Sequence, residues 1–143
     1  MAEVFREISY PDDPLAERAA DLVFREVLSS SWITEDSAGI YSTMVEDFKN
    51  FCLEDAGKLV GVGSLNLKNL DQGIGELRNI AVVPGRQGTG AGRKLITALE
   101  AEAQGAGVEL LRLCSLEAAI PFYLHLGYQA IGTSKEDLGK LLV

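Results

Sequence analysis

Gln87-Gly88-Thr89-Gly90-Ala91-Gly92-Arg93 stands between an apolar run, Leu77 to Val83, and a segment whose Leu95, Ile96, Leu99 and Ala103 recur at helical spacing. Three glycines on alternate positions permit a tight turn and leave its N–H groups bare of side chains. The helix that begins there adds unpaired donors and a partial positive charge at the same spot. Such a turn suits a phosphate or pyrophosphate. The helix stops at Gly105-Ala106-Gly107, and a second apolar run, Val108 to Cys114, follows. A strand–helix–strand crossover of this length makes the two strands parallel neighbours.

Charge agrees with the glycines. The chain of 143 residues carries a net charge of −8, yet Arg78, Arg86, Arg93 and Lys94 fall between Arg78 and Leu99 with no acid among them. A basic island on an acidic protein points to an anion held at this loop and not along the whole surface. The acidic balance argues against nucleic acid as a partner. Two nucleotide motifs fail on spacing. A dinucleotide fingerprint needs a third glycine where Arg93 or Leu95 stands, and a P-loop needs a lysine where Ala91 stands.

The other bounds are broad. The length suits one domain, residues 1–143. No apolar run approaches the roughly 20 residues that cross a bilayer, and the charged first residues lack a signal peptide's apolar stretch. A soluble, cytoplasmic protein without membrane contact is the expectation. Cys52 and Cys114 are too few for a four-thiolate site and read as buried, reduced thiols, and His125 is the sole histidine. No metal is expected.

Periodicity predicts a strand at Phe5 to Tyr10, a helix from Leu15 to about Ser29 and a second helix around Ile40 to Lys49. Phe51 to Glu54 and Leu59 to Leu67 flank Asp55-Ala56-Gly57-Lys58 as a hairpin, followed by a polar loop from Asn69 to Gly75. Ala118 to Leu126 reads as a helix ended by Gly127, and Tyr128 to Ile131 as a strand. Leu138 to Val143 reads as a last short strand or a frayed tail. Sheet and helices together indicate a mixed α/β (α+β) sandwich.

Three linked motifs extend this reading. Ala81-Val82-Val83-Pro84 leads into Gln87-x-x-Gly90-x-Gly92, and Phe122-Tyr123-Leu124-His125-Leu126-Gly127-Tyr128 follows a helix and a strand later. In this order the chain resembles the GNAT superfamily of acyl-CoA-dependent N-acyltransferases, strongly from Glu76 to about Gly132. The resemblance implies a central mixed sheet, mostly antiparallel with a parallel pair that splays, flanked by about four helices. It implies acetyl-CoA as co-substrate, with the coenzyme A pyrophosphate on Gln87, Gly88, Thr89, Gly90, Ala91, Gly92 and Arg93. The pantetheine arm would pair with the strand at Ile80, Ala81 and Val82, as an added strand does. Transfer to the amine would be direct, with Glu76 as general base, a β-strand amide at Ile80 or a neighbour on the thioester oxygen, and Tyr123 as general acid. Leu116 stands where many members carry an asparagine that helps hold the cofactor.

The acceptor is read by the least informative part of the chain. Trp32 is a candidate to stack on it. Glu35, Asp36, Glu46, Asp47 and the overall acidity tilt the expectation towards a basic amine, whether a small molecule, a lysine or a peptide N-terminus. A homodimer is left open by the family resemblance. The alternative reading is a module of the same fold that binds or senses acyl-CoA without turnover.

Overall fold

The computed structural model describes residues 3–9, 12–28 and 48–142. Trp32, Glu35, Asp36, Glu46, Asp47 and most of the helix expected over Ile40 to Lys49 lie outside them. The end of that expected helix is replaced: Lys49 already belongs to a strand.

Alternating sequence gives seven strands: β1 (Val4–Ile8), β2 (Lys49–Asp55), β3 (Lys58–Asn66), β4 (Ile74–Val82), β5 (Leu110–Cys114), β6 (Gln129–Ala130) and β7 (Asp137–Leu141). They form one sheet in the order β1-β2-β3-β4-β5-β7-β6. Every neighbouring pair is antiparallel except β4 and β5, which run parallel from Ile74↔Leu110 to Leu77↔Leu113. The C-terminal residues are therefore a strand, not a frayed tail. Among the described residues three α-helices accompany the sheet: α1 (Ala16–Val23), α2 (Ala91–Ala106) and α3 (Ile120–His125).

The two faces of the sheet bury different partners. Leu95, Ile96, Leu99 and Ala103, spaced to lie on one side of α2, pack with Phe51, Leu53, Val60, Leu65, Leu77, Leu111 and Leu113. Each of the larger side chains, the leucines, Ile96, Val60 and Phe51, contributes about 1.5–3 kcal/mol on burial. Gly63 belongs to this contact, since a Cβ there would meet the Leu99 Cδ1 at 2.6 Å and the Ile80 Cδ1 at 2.9 Å. On the opposite face Leu15, just before α1, and Ala19, Leu22 and Val23 of α1 cover Ile8, Cys52, Val62 and Ala81. The Asp13 carboxylate accepts the Leu15 N–H at 2.9 Å just ahead of α1, and Arg6 fixes that carboxylate from β1. Arg6 also holds Asp13 below the usual carboxylate range.

One residue too many interrupts β4. Val62 pairs with Ala81 and Ser64 with Arg78, so two steps along β3 match three along β4. The surplus is absorbed where Asn79 turns to φ +58°, a left-handed conformation that asparagine tolerates better than most residues. The bulge resets the alternation. Leu77 and Ile80 both join the α2 side despite lying three apart, while Ala81 goes to the α1 side. Beyond Leu77 the pairing with β5 ends, although β4 runs on to Val82. The two strands part at the bulge.

Candidate active site

The gap between β4 and β5 is a cleft of about 80 Å³ lined by Leu77, Arg78, Asn79 and Ile80 on one wall and Leu113, Cys114, Ser115 and Leu116 on the other. Val27 and Tyr123 close it. They come from opposite faces of the sheet, so the opening reaches both. Val27 arrives because α1 widens into a π-helical turn, Phe24–Leu28, a distortion that helical periodicity does not announce. Cys114 was expected to be buried. It is exposed instead, because alternation at the end of β5 turns it away from buried Leu113.

Tyr123 reaches this cleft from α3. Pro121 lies in the first turn of that helix, where its missing N–H breaks no helical bond. The Tyr123 ring is held edge-on between Phe122, 5.1 Å away, and Tyr128, 5.7 Å away. Both tyrosines are buried, but their hydroxyls differ. Tyr128 donates to the Glu100 Oε2 at 2.8 Å. The Tyr123 hydroxyl has no hydrogen-bond partner among the described residues, while the side chain is only 6% exposed. Burial pushes its phenol up to about 12, so it stays protonated throughout the neutral range.

Cys52 is likewise pushed up to about 11 by burial, and Tyr128 is raised by burial and then by Glu100. For all three groups the fold retains a proton that the unfolded chain releases at lower pH. Stability from this source is complete below the ordinary thiol value and is lost as pH rises through the folded values. Chemical-denaturation midpoints should hold steady from about pH 7 to 8.5 and decline between about 9 and 12. A midpoint unchanged at the alkaline end would contradict the burial of these groups.

At the end of β4, Pro84–Arg86 makes a short 3₁₀ turn and the glycine loop follows. Gly88 (φ +79°) and Gly90 (φ +88°) both take the left-handed conformation. Among the described residues none of the six consecutive N–H groups from Gly88 to Arg93 finds a partner; the first backbone bond is Lys94 N–H to the Gly90 carbonyl at 3.1 Å. Consecutive open amides with alternating backbone hand form an anion nest, here continued by the start of α2. A Cβ on Gly92 would meet the Phe122 ring at 3.3 Å, so this glycine lets the loop and α3 approach.

Two sequence expectations for the loop change in detail. The Gln87 side chain does not face an open anion site: its Nε2 donates to the Val82 carbonyl and the Glu26 carboxylate, both at 3.0 Å, tying the loop to β4 and the π turn. The basic island is also largely neutralised. Glu3 binds both Arg86, at 2.5 Å, and Lys94, at 2.6 Å, and Asp55 also reaches Arg86. The Lys94 hydrogen bond holds the Glu3 carboxyl below its usual range. Arg93 alone of the four cations has no ion-pair partner among the described residues.

Glu76 is not brought to Tyr123. It lines a separate shallow pocket with Asn66, Asn69, Ile74, Gly75 and Arg112, and lies 3.4 Å from the Arg78 Nε. Arg78 itself lines the cleft. Ile80 lines it too, whereas Ala81 is buried under α1 and Val82 lies beyond, along an edge of β4 that has no partner strand among the described residues.

The model of the Acetyltransferase (GNAT) family matches residues 13–128. The chain belongs to the GNAT acetyltransferase family. A glucosamine 6-phosphate N-acetyltransferase of Trypanosoma brucei brucei is 31% identical over 86 residues, which are 57% of this chain and 58% of that protein. Among solved structures, an aminoglycoside 6'-acetyltransferase type Ii superposes with a TM-score of 0.80 at 20% identity, over 98% of this chain and 97% of that one. A PaiA N-acetyltransferase from Thermoplasma acidophilum in complex with coenzyme A gives 0.74 at 15% identity, over 99% of both chains. At such identities the GNAT likeness in structure concerns the fold. Among the described residues of this GNAT chain no helix is long and apolar enough to cross a membrane.

Proposed function

We propose that the chain transfers an acetyl group from acetyl-CoA directly to a primary amine of a small molecule or peptide. The observation that carries this reading is the buried hydroxyl of Tyr123, unpartnered among the described residues, in the cleft where β4 leaves β5, with the neighbouring Phe122 against Gly92 of the anion nest. The residues fit the coenzyme. Six open amides from Gly88 to Arg93 match a pyrophosphate, with Arg93 beside them. The unpaired edge of β4 from Ile80 to Val82 matches the amides of a pantetheine arm. Relatives named as N-acetyltransferases, and a fold neighbour in complex with coenzyme A, support the same assignment.

Acetyl-CoA supplies an activated thioester when bound. The chain's own groups then have distinct tasks. A backbone N–H at Ile80 or a neighbour donates to the thioester oxygen. Tyr123 keeps a proton on its Oη for the departing sulfur. Glu76 draws the proton from the acceptor ammonium, and does so through water because its carboxylate lies outside the cleft.

Thiol release from acetyl-CoA across a panel of amines tests the reading, together with calorimetry of acetyl-CoA binding. Turnover supports the transferase; tight binding with no turnover on any amine favours the non-catalytic binder. Glu76→Gln should cut kcat/KM about tenfold or more near pH 7, with the deficit shrinking towards pH 9 as the acceptor deprotonates unaided. A deficit constant over that range would remove Glu76 as the base.

A further inference from the structure

The α1 face of the sheet is apolar only where α1 covers it. Beyond that, towards the end where β4 and β5 are still paired, the same face carries Asn50, Ser64 and Arg78 in one cross-strand row and Asn66, Glu76 and Arg112 in the next. In the first row Ser64 donates to the Asn50 Oδ1 at 2.6 Å, and both side chains are buried. In the second, Asn66 donates to Glu76 at 3.4 Å. These contacts satisfy the polar groups of the floor and leave the guanidinium groups above it.

Arg78 is fixed from one side only. Its Nε pairs with Glu76 at 3.4 Å and its Cζ stands 5.8 Å from the centre of the Phe48 ring. Its two terminal nitrogens have no partner among the described residues, and the side chain is 52% exposed. A guanidinium held in place with its fork free is suited to bind a carboxylate or phosphate through two parallel bonds. Arg112, the register partner of Glu76, has no hydrogen-bond or ion-pair partner among the described residues. Against these two guanidinium groups stand Glu76 and, around Cys114 in the same cleft, Asp137 and Glu136, so the fork of Arg78 is a directional anion contact and not a general positive field.

We infer that the acceptor is a small amine that also carries an anionic group, with that group held by the terminal nitrogens of Arg78 and assisted by Arg112. The inference rests on the transferase reading and reverses the expectation of a basic acceptor drawn from overall charge. Because Arg78 itself lines the cleft, the amine and the anion are separated by a short spacer. An amino-sugar phosphate and an α-amino acid both satisfy this chemistry.

Matched acceptor pairs decide it: an amino sugar with and without its phosphate ester, and an α-amino acid beside its amide. The anionic member of one pair should be preferred in kcat/KM by roughly tenfold or more, and the pair that responds tells phosphate from carboxylate. In Arg78→Met that preference should collapse to within about threefold through KM for the acceptor, with KM for acetyl-CoA unchanged, while Arg78→Lys restores part of it. Arg112→Met should reduce it less. Preference for neutral or cationic amines, or a preference that survives Arg78→Met, overturns the inference and leaves the transferase standing. No turnover with any amine, despite coenzyme binding, overturns the transferase reading and the inference with it.

Discussion

Tyr123→Phe should slow acetyl transfer by about tenfold to a hundredfold, equivalent to roughly 1.4–2.7 kcal/mol of transition-state stabilisation, while coenzyme A binds as before. The exchange keeps the ring, and with it the edge-on contacts to Phe122 and Tyr128. It removes only the hydroxyl, which has no hydrogen-bond partner among the described residues. A buried hydroxyl without a partner costs about 1–3 kcal/mol in the folded state. The phenylalanine variant should therefore melt no lower than the parent, and even higher. Lower activity joined to equal or greater stability marks a group kept for chemistry. The opposite pattern, an intact rate with a lower melting temperature, would return Tyr123 to the core. The alkaline limb of the parent's rate profile gives a second readout. Tyr123 is raised to about 12, so its loss of a proton should not limit the rate until well above the ordinary tyrosine value.

Gly90→Glu should weaken coenzyme A binding by about a hundredfold or more, or roughly 2.7 kcal/mol. Two effects combine. The left-handed backbone at Gly90 costs a side-chain-bearing residue about 1–2 kcal/mol. The added carboxylate also stands beside the open amides meant for an anion, where like charge repels. Gly90→Ala separates these effects, since its Cβ meets nothing within 4 Å and brings no charge. The alanine variant should lose less than about tenfold in affinity while sharing the loss in stability. Calorimetry that finds the glutamate variant undiminished would remove the loop as the coenzyme site. Equal losses in both variants would assign the effect to strain alone.

Much of the sheet was legible because its signals are local. Alternation marked the hairpin, and the glycines marked both ends of α2. The parallel pair followed from the length of the crossover between β4 and β5. What escaped depends on contacts between distant residues. Leu77 and Ile80 look like ordinary strand residues until the pairing with Ser64 and Val62 reveals the surplus at Asn79. The charge island looked open because Glu3, far off in sequence, neutralises Arg86 and Lys94. Glu76 was legible as a strand carboxylate, but its separation from Tyr123 depends on where β5 leaves β4. Cys114 has apolar neighbours in the chain, and its place on the face of β5 opposite Leu111 and Leu113 exposes it. The unsatisfied hydroxyl of Tyr123 beside the satisfied one of Tyr128 is a fact of three dimensions that no motif encodes.

The bulge at Asn79 also says how such a cleft can change. Its opening depends on the count of residues in β4 and not on the bulk of any side chain. Exchanging Leu113, Cys114 or Leu116 alters the lining and leaves the strands apart. Deleting one residue at the bulge would restore plain pairing with β3 and leave Leu77, Ile80 and Ala81 on the faces they already hold. New acceptors are therefore within reach of single substitutions, whereas loss of the pocket itself takes a change in chain length.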